Sequence, residues 1–173
     1  MPDMSSRKPR RVDRHALVHS TRTAIAAVVS LIVARALGLP EAYWATITTL
    51  IIMQSTLGAA LAVSEQRFAG TALGAAFATL LATYFGSNMI VYGLGVFVIG
   101  LICAALRLGE AYRLASVSLA IVMLIPHTKP AWIVAAHRFV EVSVGIAVGL
   151  ALTAVWPEGE PAASSAPPDS SSE

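Results

Sequence analysis

Two arginines interrupt otherwise apolar helix patterns, and they do so at equivalent points of a repeat. The first copy reads Arg67-Phe68-Ala69-Gly70-Thr71-Ala72-Leu73-Gly74-Ala75-Ala76 and the second Arg138-Phe139-Val140-Glu141-Val142-Ser143-Val144-Gly145-Ile146-Ala147. Arg, Phe, the second Gly and the last Ala recur. A guanidinium stays protonated and presents a planar fork of donors that suits a carboxylate. At the centre of a bilayer it costs about 2.5–3.5 kcal/mol on insertion scales, so a residue of this kind faces a polar cavity or a partner. The chemistry this predicts is a cationic site for a small organic anion, formed by Arg67 and Arg138. A second reading lets both helices start late, so that the two side chains snorkel to an interface. Glu65 and Lys129 leave those starts open.

Glu141 follows Arg138 by one turn, at the spacing of a same-face pair. A carboxyl in an apolar site suits proton coupling; the simpler role is to neutralise Arg138. Its counterpart in the first copy is Gly70, so the repeat is broken there. Gln54-Ser55-Thr56-Leu57-Gly58 is a polar break, and Gln54 and Thr56 either line the cavity beside Arg67 or belong to a simple loop. Gly70-x-x-x-Gly74 and Gly145-x-x-x-Gly149 would bring helix backbones close together, a packing role. His15, His19 and Arg22 fall on one helix face near an interface, as a solvated stripe or a contact for lipid phosphate. His127 and His137 flank a connection without the Cys or carboxylate cluster a metal needs, and Cys103 lies in an apolar run as a buried thiol. With no phosphate loop, nucleophile elbow or metal signature, the sequence predicts neither an enzyme nor a cofactor.

These residues must be positioned by membrane helices. The 173 residues are 56% hydrophobic and 13% charged with mean hydropathy +0.70, against about a quarter charged in an average soluble domain. Ala24–Ala34 and Leu94–Leu106 are continuously apolar or small, whereas barrel strands alternate. Breaks at Pro40, Gln54 to Gly58, Gly86-Ser87-Asn88, Gly109-Glu110 and Pro126 to Pro130 divide the chain. They predict helices over about 15–39, 41–53, 59–85, 89–108, 111–125 and 130–156. Residues 1–14 form a basic arm and 157–173 an acidic, disordered tail. The fold class is all-α, a six-transmembrane-helix bundle that nearly exhausts the chain.

The repeat extends upstream, since Ala45 to Met53 matches Ala115 to Met123 at an offset of 70. Each unit then holds three helices, and an odd number makes the two units inverted. Arg7, Lys8, Arg10, Arg11 and Arg14, with Arg107 and Arg113, place both termini in the cytoplasm. Tyr43, Trp44, Trp132 and Trp156 lie near predicted helix ends, where interfacial anchors belong. The arm is better matched to anionic lipid than to nucleic acid.

Tyr43-Trp44-Ala45-Thr46-Ile47-Thr48, then Gln54-Ser55-Thr56-Leu57-Gly58, then Arg67-x-x-Gly70-Thr71-x-x-Gly74 form an ordered set of motifs. In this order they resemble the membrane domain of the fusaric acid resistance and aromatic acid exporter family. The resemblance covers residues 15–156 and implies a six-helix inner-membrane unit that exports aromatic carboxylates or other organic anions. It carries Arg67, Gly70, Thr71 and Gly74 directly, while Arg138 enters through the internal repeat. Larger members have a second membrane unit or a cytoplasmic domain, so a homodimer or higher homo-oligomer is expected here. The alternative is a non-transporting membrane scaffold, or a subunit of a larger efflux assembly whose glycine faces bind a partner.

Overall fold

The computed structural model describes residues 14–53, 56–126 and 128–156. They form α1 (Arg14–Ala36), α2 (Tyr43–Ile52), α3 (Leu57–Phe85), α4 (Met89–Ala105), α5 (Ala111–Leu124) and α6 (Ala131–Val155), with no strand among the described residues. Each boundary has a local cause. α1 stops ahead of the predicted Leu39 because Gly38 takes φ 71°, letting Leu39 N–H turn back onto the carbonyl of Ala34 at 3.1 Å. Gly86 at φ 76° ends α3, and the Asn88 side chain caps α4 by accepting from the Val91 N–H at 2.9 Å. Arg107 adopts φ 56° at the end of α4, where the Leu108 N–H closes on Cys103 O at 2.9 Å. Pro130 caps α6 rather than opening it.

α1, α3 and α6 are long and apolar enough to cross a membrane. α2, α4 and α5 have 10, 17 and 14 residues, or about 15, 25 and 21 Å of helix against a hydrocarbon core of about 30 Å. Among the described residues there are thus six helices, three of them long and apolar enough to cross by themselves.

The packing is repeated with the halves exchanged. α3 lies on α5 as α6 lies on α2; α1 packs on α2 as α4 packs on α5; α1 touches α6 as α4 touches α3. α3 and α6 also pack on each other, and there the two repeat phenylalanines, Phe68 and Phe139, meet edge to face with centroids 4.9 Å apart. Glycines set the closest approaches. A Cβ at Gly74 would fall on the Ala115 carbonyl, and one at Gly145 on the Ala45 carbonyl. Both members of these pairs are related by the repeat.

The interior mixes many small and polar side chains with a few large apolar ones such as Ile52, Leu119 and Val142, while the exterior is large and apolar. Ala26, Ala34, Ala45, Ala60, Ala78, Ser64, Thr48 and Thr71 are buried; Ile32, Leu80, Phe85, Ile90, Phe97 and Leu101 are exposed. Lipid tails are as apolar as leucine, so helices gain little by hiding large side chains from them, and close contact between small residues holds the bundle instead.

Candidate functional site

Arg138 and Glu141 project from one face of α6 toward the α1–α2 connection, each almost wholly buried at 3% and 1% exposure. The Arg138 guanidinium carbon sits 3.5 Å from the centroid of the Trp44 ring, at the first turn of α2. Such a contact is worth about 2 kcal/mol when water is excluded. Trp44 Nε1–H donates to Glu41 Oε2 at 2.9 Å, and the Glu41 backbone N–H donates to Glu141 Oε1 at 2.9 Å. Arg67, on α3, joins from the other side. Its Nε–H donates to Thr48 Oγ1 at 3.1 Å, while the Thr48 hydroxyl donates to the Trp44 carbonyl at 2.9 Å. The two repeat arginines thus converge on Trp44, one on its ring and one through its carbonyl.

Arg138 is under-satisfied. Its Nε and Nη1 are buried and find no hydrogen-bond partner among the described residues. The charges of Glu141, Arg67 and Glu41 all act on it, yet no ion pair joins it to Glu141 among those residues. Glu141 spends its hydrogen bond on the backbone of Glu41 instead. A buried guanidinium with two idle donors is costly unless something else accepts from them.

A cavity of about 440 Å³ opens at this place, between the α1–α2 connection (Pro40, Glu41), the α5–α6 connection (Pro126, Thr128, Lys129) and α6 (Val134, His137, Arg138, Glu141). That volume accommodates a small organic molecule. A smaller cavity of about 230 Å³ lies between α3 and the α4–α5 connection, lined in part by Glu65, Gln66 and Arg107. It is the repeat counterpart, and it differs where the repeat is broken. Gly70 stands in place of Glu141, and a Cβ on it would come 2.6 Å from the Ala111 carbonyl. Ala111 in turn stands in place of Glu41. One end therefore has a carboxylate on a backbone N–H, and the other has backbone against backbone.

The structure brings Arg67, Arg138 and Glu141 together and leaves Thr56 apart. Thr56 is the exposed N-cap of α3, eleven residues and so about 16 Å along the axis from Arg67. Gln54, with Ser55 and His127, lies outside the described residues. Gly70, Gly74, Gly145 and Gly149 all face neighbouring helices at close range. Among the described residues no group of three His, Cys, Asp or Glu could hold a metal.

Two assignments change, while the Trp44 ring, near the start of α2, is covered by Arg138 from α6. Arg22 is not on a solvated stripe: it is 1% exposed, and its Nη2 approaches Thr153 Oγ1 at 3.4 Å, since α1 turns that face toward the end of α6. Glu41, which sequence reasoning used only to open a helix, is part of the site. The signal available was its spacing, for Glu41 stands just ahead of α2 at three and seven residues before Trp44 and Thr48.

No curated protein and no solved structure matches the chain. The sequence model described as Aromatic acid exporter family member 1 does match it, over residues 17–155, a span that contains every helix contact of the site. The match and the three long apolar helices agree on a membrane protein of transporter type. The chain belongs to the aromatic acid exporter family.

Proposed function

We propose that this protein exports small organic anions, aromatic carboxylates first among them, across the inner membrane, and that Arg138 and Arg67 form the anion site. The observation that carries the reading is Arg138, with two buried idle donors at the wall of a 440 Å³ cavity. A carboxylate would accept a charge-assisted bond from this guanidinium, and Arg67 adds a second positive charge behind it.

The same reading takes all six helices as crossing the bilayer, the shorter ones where it is locally thin or the helices are covered by their neighbours. The two three-helix units are inverted, which accords with the packing repeated under exchange of halves. Both termini face the cytoplasm, and the transporter works as a homodimer or higher oligomer.

The test is flux of benzoate in proteoliposomes. Arg138→Gln is expected to lower it about 10- to 100-fold, the loss of a charge-assisted hydrogen bond of about 1.5–3 kcal/mol, and Arg67→Gln to lower it less. Equal flux in wild type and both variants would refute the site. Absence of flux from the wild type, with a protein co-purifying through the membrane segment, would favour a scaffold.

A further inference from the structure

We infer that Glu41 and Glu141 act as a charge filter that restricts the site to anions carrying a single negative charge. The inference rests on the anion site proposed above and deepens it by assigning specificity. Both carboxylates line the same cavity as Arg138. Neither is consumed by it. Glu41 accepts from the Trp44 indole N–H and Glu141 from the Glu41 backbone N–H, both neutral donors. Two carboxyl groups therefore line the cavity beside a buried cation, each held in place by a bond from a neutral donor. The facing groups are accounted for: Arg138 and His137 on α6, Lys129 exposed at the rim, and Arg67 behind Thr48.

A monocarboxylate seated on Arg138 neutralises the cation and presents only apolar ring to the two glutamates. A second carboxylate on the same ring projects back into the cavity, where Glu41 and Glu141 repel it. At a separation of about 7 Å and an effective dielectric of about 20, each like charge disfavours it by well over tenfold. Specificity of this kind is built by repulsion of the wrong ligand rather than by extra contacts to the right one. The counterpart cavity lacks the device, since Gly70 and Ala111 occupy the equivalent positions.

The experiment compares benzoate with isophthalate, which differ by one carboxylate, at neutral pH on the full-length protein in lipid nanodiscs and in proteoliposomes. Glutamine in place of either glutamate keeps the acceptor oxygen and removes the charge, so Glu41→Gln and Glu141→Gln preserve the hydrogen bonds described. Wild type is expected to bind benzoate at least about tenfold more tightly than isophthalate and to transport it with the same preference. Each variant should narrow that ratio severalfold and the double variant should abolish it. A ratio unchanged in the double variant refutes the filter while leaving the anion site standing. Failure of the wild type to bind either anion refutes the filter together with the site.

Discussion

At the scale of single residues, Trp44 holds the position of Arg138. Its ring carries the guanidinium, its indole N–H fixes Glu41, and its carbonyl receives Thr48, which in turn receives Arg67. Trp44→Leu removes the aromatic face and with it about 1–2 kcal/mol of cation–π contact in a desolvated setting. The KM for anion flux is expected to rise about tenfold while the melting temperature in detergent moves little. Trp44→Phe keeps a face and loses the N–H, so it should recover most of the affinity. Similar KM values for Leu and Phe at this position would show that the ring does not orient Arg138. Arg138→Lys is not a conservative change, because a lysine is a point charge without the fork that grips a carboxylate or the plane that stacks on indole.

At the scale of elements, four glycines on α3 and α6 determine how near α5 and α2 can come. Gly74→Ala and Gly145→Ala put a methyl group onto the carbonyls of Ala115 and Ala45, and overpacking of this kind costs about 1–3 kcal/mol. Gly93→Ala and Gly100→Ala in α4 meet nothing within 4 Å. They should be neutral or stabilising by up to about 1 kcal/mol, the difference in helix propensity. Thermal unfolding of the four variants in one detergent checks the contrast, and an equal effect in all four would mean that close helix approach does not hold the bundle. The short α2 is positioned by this packing, so a loosened α6 should also weaken anion binding through Glu41 and Trp44.

At the scale of the whole molecule, the site is asymmetric although the packing is repeated. The connection carrying Lys129 adjoins the larger cavity, and the connection carrying Arg107 adjoins the smaller one. In a background with Cys103→Ala, single cysteines at these positions report topology. Lys129→Cys should react with an impermeant thiol reagent added outside intact cells, and Arg107→Cys only after the membrane is opened. Labelling of both from outside would overturn the inverted arrangement of crossings.

Much of the architecture was legible along the chain because it is written in local signals. Pro40, Gly86-Ser87-Asn88 and Pro126 to Pro130 break helices by their own backbone chemistry, so the six helices fall within three residues of where punctuation places them. The repeat identified Arg67 and Arg138 as counterparts, and the break in it isolated Glu141. What local signals could not supply was the neighbour of each side chain. Nothing near Trp44 in the chain announces that Arg138, 94 positions further along, lies over its ring. Arg22 reads as exposed until the end of α6 covers it, and Glu141 reads as the partner of Arg138 until the Glu41 N–H claims it. Periodicity and turn chemistry act over a few residues and are therefore fixed by the sequence itself. Burial and charge pairing depend on which helix faces arrive from far along the chain, and only the packed bundle decides them.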